Sequence, residues 1–597
     1  MRTYLKRMHI GTNERWMFAI VAAATLARFL LTYFNWPSTN SDEGTMGLLA
    51  LHVAYQGDHP TFFYGLPYMA PLEGYIAAPL FRIFGASLFT LRLGLLPLFA
   101  AFLICMYYLT RLLYTEKFAL AIVILLSLGS SDIIYLQIKA VGEYPETELF
   151  LALIPLLASW LALTSHSSIQ SQALQSKQRR IIIYGFLGLM VGLALWVDFL
   201  ILPIVALAGL LLVLFCYREL LSWMGLSLLL GVIIGAFPLI LYNLTAPWDQ
   251  NSWNTLLWIH KNGANEIVAQ HLTWLHHIVG TIIIGLPSAT GANPDCSLTA
   301  YPLYSSPALS TFPCILFHGV WGAGYLILWF IATCGAARIF WQCRRHFFTQ
   351  KGALEERQVF IHQCSRLMLL GSVMITLASY ATSPVSAVVP VVTFRYLMCA
   401  LIATPAILWP AWNGLLSRKF SSNRNRNLSF LLRGGLLLLI FATFFSGIVR
   451  TFTQIPVAQA AYRQEDSLVQ DLLKIGATRI YSEYWTCNRL TFHSQEQIIC
   501  SVLDEQLNPG FDRYMPYRFI VRATPHPAYV FPLGSKQADL LKSQLLASNR
   551  HYREYVFEGY IVMTFNTITR SSVGADLSRP APMYRPSLDV PMSALKR

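Results

Sequence analysis

Apolar residues come along this chain in blocks too long for the helices of a water-soluble core. A helix that spans a bilayer needs ~20 mainly apolar residues. Eleven stretches meet that requirement, at roughly 16–34, 89–113, 118–136, 147–165, 181–197, 199–216, 222–242, 319–340, 366–382, 396–415 and 433–450. The stretch 271–287 is also apolar, but His271, His276 and His277 interrupt it, and it reads as an interfacial helix. After residue 450 the pattern changes. Residues 467–475 have helical spacing with Gly476 as their stop, while 478–481, 529–531 and 560–565 read as strands. The pattern predicts an α-helical polytopic membrane protein with about eleven transmembrane helices over residues 1–450, then a small α/β domain over 451–568. A tail rich in Ser, Pro and Arg, 569–597, is expected to be disordered. The first apolar run is long enough to stay as a span, so no cleavable signal peptide is expected, and no fixed-period repeat emerges.

Composition sharpens this division. Charged residues make up 12% of the 597 residues, against ~25% in a soluble domain. The first 450 residues hold 45 of the 74 charges and the last 147 hold 29, or about 10% against 20%. The net charge of +14 would suit a polyanion partner, but its distribution gives a different meaning. Of the 28 Lys and Arg in residues 1–450, 21 fall in short segments on one side of the apolar runs; the acids there number five against twelve. That is the positive-inside rule, and it excludes nucleic acid as the reason for the charge. It places the N-terminus in the cytoplasm and, with an odd number of spans, the C-terminus outside a cell membrane. Among ten cysteines, Cys296 and Cys314 share one outer loop and Cys487 and Cys500 share the outer domain. Each pair can be bridged in an oxidising compartment or carry free thiols. No CxxC or HExxH spacing supports a tight zinc site.

The candidate chemistry collects in the outer loops. Asp42 and Glu43 follow the first span directly, at the membrane–water boundary, where ionisable groups are costly and tend to be functional. Such a pair can supply a general base or hold a divalent metal ion through oxygen. Acids in the first turn of a helix capped by Ser41 would look the same. The same loop continues through residues 55–75, where Tyr64 and Tyr68 stand among prolines and glycines that exclude one regular helix. Glu73 lies within an otherwise apolar segment there. The second outer loop crowds Lys139, Glu143, Tyr144, Glu146 and Glu148 into one turn. Asp198, between the fifth and sixth spans, reads as a turn residue with a weaker claim. Arg395, beside Tyr396, is the lone basic residue of its outer segment, and an arginine fork suits a phosphate ester.

Three short motifs carry a resemblance: AspGlu (42–43) after span one with PheTyrGlyLeuProTyrMetAlaProLeuGlu (63–73), LysAlaValGlyGluTyrProGlu (139–146), and ArgTyrLeu (395–397). The chain resembles a membrane glycosyltransferase of the GT-C superfold, close to glycosyltransferase family 39 and the dolichyl-phosphate-mannose protein mannosyltransferases. The resemblance implies a polyprenyl-phosphate-linked sugar donor, a lipid, glycan or protein acceptor, membrane lipid around the site, chemistry on the extracytoplasmic face, and inversion at the anomeric carbon. It assigns Asp42 as the general base and Glu43 as the residue that orients it or binds the acceptor. Glu143 or Glu146 becomes the second-loop acid, Arg395 and Lys139 hold the donor phosphate, and Glu73, Tyr64, Tyr68, Tyr144 and Tyr396 contact substrate. One departure stands out: relatives that transfer aminoarabinose carry a Lys beside the Pro-Leu of the first loop, where this chain has Met69 and Ala70 before Pro71. The competing readings are a transporter, argued against by charges gathered at the outer ends of the spans, and a receptor whose outer domain senses a ligand.

Overall fold

The computed structural model describes residues 11–170, 174–262, 272–292, 312–348, 354–416 and 423–565. The tail and Cys296 lie outside them. Among the described residues, eight helices are long and apolar enough to cross a bilayer. They are α1 (Thr12–Tyr33), α4 (Leu88–Leu113), α7 (Tyr144–Ser165), α8 (Lys177–Val197), α9 (Phe199–Leu220), α12 (Phe312–Arg344), α13 (Glu356–Thr382) and α16 (Ser429–Lys474). Three bent pairs bring the number to eleven: α5 (Glu116–Ser127) with α6 (Ser131–Ile138), α10 (Trp223–Gly235) with α11 (Phe237–Thr245), and α14 (Pro390–Leu397) with α15 (Cys399–Leu415). Two shorter helices, α2 (Ser41–Leu51) and α3 (Leu72–Phe84), fill the first long loop. The apolar stretch around residue 280 is helical from Trp274 to Thr290.

The span expected at 118–136 departs most from a straight rod, bending by 85° between α5 and α6. A helix that ends inside an apolar layer leaves its last carbonyls without partners. Here the fully buried Arg28 of α1 supplies them: its guanidinium donates to the Ser127 carbonyl, to the Leu128 carbonyl (2.7 Å) and to Gln137 Oε1 (2.9 Å), and lies 4.4 Å from the Phe99 ring centre. Gly447 of α16 comes so close to the bend that a Cβ there would stand 2.6 Å from the Gly129 carbonyl. Elsewhere α8 and α10 meet through small residues, as membrane helices do where burial from water gives no driving force. A Cβ on Gly188 would lie 2.1 Å from the Leu228 carbonyl, and one on Gly231 2.3 Å from that of Gly185.

Helix α16 has 46 residues, about 70 Å at ~1.5 Å per residue, against a hydrocarbon layer of ~30 Å. Its second half, which follows a one-residue break at Gln454, therefore carries the chain out to the sheet. The sheet has five strands in the order β2-β1-β3-β5-β4. They are β1 (Arg479–Ser482), β2 (Ile499–Val502), β3 (Ala528–Pro532), β4 (Tyr552–Phe557) and β5 (Tyr560–Phe565). The first three pair in parallel and the last two join antiparallel. Helices α17 (Tyr484–His493), α18 (Met515–Ala523) and α19 (Lys536–Ala547) connect them. Ile480, Val530 and Val562 of the central strands pack with Leu468 and Leu472 of α16 and Leu490 of α17. A disulfide joins Cys487 on α17 to Cys500 on β2, and Cys314 is also disulfide-bonded.

Candidate functional site

Helix α2 begins where the sequence places a cap, shifted by one residue. The Asn40 side chain, not Ser41, accepts the Glu43 amide (3.0 Å), and Ser41 opens the helix. This leaves the Ser41 and Thr45 hydroxyl oxygens free to accept from the backbone amide (3.2 Å) and the side chain (2.8 Å) of Asn488 on α17. Gly44 and Gly47 make that contact close, since a Cβ on Gly44 would stand 2.6 Å from Arg489 Cα and one on Gly47 2.5 Å from the Phe492 ring. The sheet domain is thus seated on the helix that carries the acidic pair.

The two acids point to different partners. Asp42 Oδ1 accepts from the Tyr484 hydroxyl (2.5 Å) and from Arg513 Nη2 (2.7 Å), while its side chain remains 20% exposed. Burial works against its ionisation, but Arg513, the Tyr484 hydroxyl and, farther off, Arg395 hold its carboxyl below the usual carboxylate range. Glu43 turns the other way into a forked pair with Arg92, at 2.7 Å (Nε to Oε1) and 2.6 Å (Nη2 to Oε2), with both side chains at 0% exposure. The Ala140 amide also donates to it (3.3 Å), which ties α2 to the second outer loop. Lys139 is engaged as well: its ammonium donates to the Ser38 carbonyl (2.8 Å) and lies 4.6 Å from the Tyr135 ring centre.

The second loop is held by positive backbone angles at Gly142 (φ 99°) and Glu143 (φ 69°), which turn the chain into α7. Glycine meets that demand at little cost; a Cβ there would lie 2.8 Å from Met69 Cε, the flexible end of a side chain that can give way. The Gly142 amide donates to Glu73 Oε2 (2.8 Å), so the acid of the first loop holds the turn of the second. Behind it lie buried carboxyl oxygens with no hydrogen-bond partner among the described residues: Glu73 Oε1, Glu143 Oε2, both oxygens of Glu146, and Asp198 Oδ2. Burial, with the neighbouring Glu146, drives the Glu73 carboxyl well above the usual range; burial and Asp198 do the same for Glu143. Burial raises Asp198 to about 7, against the opposing pull of the backbone amides of Leu200 and Phe199 and of Arg395.

Arg395 faces this cluster from the bend between α14 and α15. Its guanidinium lies 5.3 Å from the Tyr144 ring centre and 5.7 Å from that of Tyr396, and it interacts electrostatically with both Asp42 and Glu143. The structure therefore brings Asp42, Glu143, Asp198, Tyr144, Tyr396 and Arg395 into one charged cluster, with Glu73 and Glu146 beside them. Tyr64 adjoins it through its carbonyl, which accepts from Arg513 Nη1 (3.3 Å), and its hydroxyl meets His52 Nδ1 (2.8 Å). Tyr68 is half-buried against the apolar cluster that includes Phe63 and Met69. Among the described residues, no group of three or more His, Cys, Asp or Glu is arranged to hold a metal ion.

Two residues of this arrangement, Arg92 and Arg513, escape the sequence reading, and a third, Asp198, carries only a weak claim in it. Arg92 left a trace, as a charge inside an otherwise apolar span. Asp198 reads as a turn, which it also is, its Oδ1 accepting the Leu200 amide (2.9 Å). Arg513 left none, because a single arginine in a polar domain is ordinary.

The chain matches no family model and no curated protein in sequence. In structure it is similar to ArnT from Cupriavidus metallidurans bound to undecaprenyl phosphate, at 12% identity over 92% of this chain and 98% of that one, with a TM-score of 0.50. The apo form of ArnT gives 0.51 over 93% and 98%. The archaeal oligosaccharyltransferase AglB from Archaeoglobus fulgidus, in complex with an inhibitory peptide and a dolichol-phosphate, shares 12% identity over 92% of this chain and 74% of its own, with a TM-score of 0.46. The likeness to ArnT is one of fold, and that fold is GT-C.

Proposed function

We propose that this GT-C-fold membrane protein is a glycosyltransferase that moves a sugar from a polyprenyl-phosphate donor to an acceptor hydroxyl on the extracytoplasmic face. The observation that carries the reading is the setting of Asp42. Its carboxylate is kept ionised by Arg513 and Tyr484 on one oxygen, while the other, Oδ2, takes no hydrogen bond from any described residue. An ionised carboxylate beside a cluster of neutral carboxyls and one facing guanidinium suits a displacement at an anomeric carbon. The similarly folded ArnT binds undecaprenyl phosphate, which supports a donor of that class here.

In this reading Asp42 Oδ2 takes the proton from the acceptor hydroxyl as that oxygen bonds to the anomeric carbon. The bond from that carbon to the phosphate oxygen breaks, and its electron pair leaves with the polyprenyl phosphate. One displacement inverts the anomeric centre. Arg395 stabilises the charge growing on the departing phosphate, a task that Lys139, spent on the Ser38 carbonyl, does not share. Glu143 and Asp198, held protonated in part by burial, can donate hydrogen bonds to sugar hydroxyls, and the rings of Tyr144 and Tyr396 flank them. Glu43 serves through structure, fixing the first turn of α2 by its pair with Arg92. The test is mass spectrometry of lipid and envelope glycans from cells with the wild-type chain, with Asp42→Asn, and with neither. Asp42→Asn is expected to leave the protein in the membrane and to lose the transferred sugar; an unchanged product level would refute the assignment of the base.

A further inference from the structure

The sheet domain is anchored to α2 by Asn488 and by the close approach at Gly44 and Gly47, so docking has no need of a charged contact. Yet Arg513 and Tyr484, from two separate segments of that domain, both donate to Asp42, and to the same oxygen. We infer that Arg513 and Tyr484 are positioning residues for the proposed base, clamping Asp42 Oδ1 so that Oδ2 alone is presented to the reacting hydroxyl. The inference rests on the proposed role of Asp42 as the base, and it makes the outer domain part of the catalytic apparatus.

The clamp is built to be rigid. The Arg513 guanidinium spends Nε on the Tyr484 hydroxyl oxygen (2.8 Å), Nη2 on Asp42, and Nη1 on the Tyr64 carbonyl (3.3 Å). One planar group therefore ties together α17, α2 and the first outer loop, a use suited to the fixed fork of an arginine. It lies 4.9 Å from the Phe63 ring centre and 5.3 Å from that of Phe511, and is 8% exposed. Its segment is fixed in turn by the neighbouring Asp512. That carboxylate accepts from the Val502 amide (2.8 Å), the Ser501 hydroxyl (3.2 Å) and Arg518 Nε (2.6 Å). The titratable and charged groups facing Asp42 are Arg513 and the neutral Tyr484 phenol from the sheet domain and Arg395 from α14. Arg489 of α17 is turned away, to Glu465 and the Tyr560 hydroxyl. A support of this kind must hold a reacting group to within a fraction of an ångström to keep its rate.

A purely structural ion pair and a clamp on the base differ in what happens to Asp42 when the arginine is removed. The test uses the detergent-solubilised full chain as wild type, Arg513→Gln, Arg513→Lys and Tyr484→Phe. A hydrophobic carbodiimide, which adds to protonated carboxyls, is titrated against pH, and labelling of Asp42 is read by peptide mass spectrometry. In Arg513→Gln the pH of half-labelling is expected to rise by about 1–3 units, in Tyr484→Phe by less, and Arg513→Lys should restore most of the wild-type curve. In cells, Arg513→Gln is expected to lower the transferred sugar by about a hundredfold, the cost of a slight misplacement. Wild-type labelling curves in both Arg513→Gln and Tyr484→Phe would overturn the inference. Tyr484→Phe removes one hydroxyl and keeps the ring, so the test holds even if Arg513→Gln fails to fold. Shifted labelling with transfer intact in Asp42→Asn would overturn the base assignment instead.

Discussion

Asp42 and Glu43 are adjacent in sequence, and their substitutions are expected to fail in opposite ways. Glu43 and Arg92 are both fully buried, and their two short hydrogen bonds form a forked pair. Removing one member leaves the other charge buried without its partner, which costs about 3–5 kcal/mol. Glu43→Gln should therefore destabilise the chain by about 3 kcal/mol, toward the low end because the amide oxygen can still accept from the Ala140 amide. The double variant Glu43→Leu with Arg92→Met removes both charges and orphans the Ala140 amide and the Pro37 carbonyl, which Arg92 also holds (2.7 Å). At ~1 kcal/mol for each orphaned group, the double variant should cost about 2 kcal/mol, less than the single one. Thermal unfolding in detergent, followed by intrinsic fluorescence, orders the variants; glycan mass spectrometry on cells with matched protein levels reads transfer. Glu43→Gln is expected to lower the midpoint more and keep transfer, whereas Asp42→Asn, at a site that is 20% exposed, lowers it less and loses transfer. A Glu43→Gln variant with an unchanged midpoint and no product would show that Glu43 takes part in the chemistry, and the division of labour between the two acids would be wrong.

Two further outcomes follow from the second loop and its neighbour. Gly142→Ala puts a side chain at φ 99° and should cost about 1–2 kcal/mol with some loss of transfer; a wild-type unfolding midpoint would refute the need for glycine there. Asp198 is raised by burial to about 7, from an ordinary value near ~3.9. The folded chain therefore binds its proton more tightly than the unfolded chain, and the stability this contributes is lost as pH rises through that window. Asp198→Asn should flatten the decline between acidic and neutral pH in a series of unfolding midpoints, and an unchanged slope would sink the burial argument.

How much of this was legible in the sequence depended on the range of the interactions involved. Span positions follow from a local property, so the eleven apolar blocks found their helices, with α7 and α8 matching to within a few residues. The bends did not follow, because what permits the 85° turn after α5 is Arg28, some 100 residues earlier in the chain. In the sheet domain the apolar strands β1, β3 and β5 stood out. Strand β4 sits at the sheet's edge with charged and exposed positions, so it does not read as apolar; β2 has four residues, as β1 does, and its length does not explain why it went unread. The acids of the site were visible for the opposite reason: a carboxylate beside a membrane span is conspicuous wherever its partner lies. What each acid does was hidden, since Glu43 answers to Arg92, Glu73 to Gly142, and Asp42 to Arg513, 471 positions away.

That distribution of partners also explains how several acids can lie together. An isolated buried carboxylate is too costly to keep ionised, and the chain meets the cost differently at each position. Glu43 keeps its charge through a buried guanidinium, and Asp42 through a guanidinium and a phenol brought in by another domain. Glu73, Glu143 and Asp198 are driven toward the neutral form by burial, to which neighbouring acids add at Glu73 and Glu143. In the proposed mechanism Asp42 keeps its charge and an open oxygen for the role of base, next to carboxyls driven toward the neutral form that can donate hydrogen bonds. It also means that the charge on Asp42 depends on the sheet domain being seated. Disrupting the seat at a distance, by Gly44→Val where a side chain meets the Arg489 backbone at 2.6 Å, should raise the pH of half-labelling of Asp42 as Arg513→Gln does, with Arg513 itself intact. If that variant docks its sheet domain loosely, as seen by faster proteolysis between α16 and β1, yet labels Asp42 like the wild type, the coupling between domain and base does not exist.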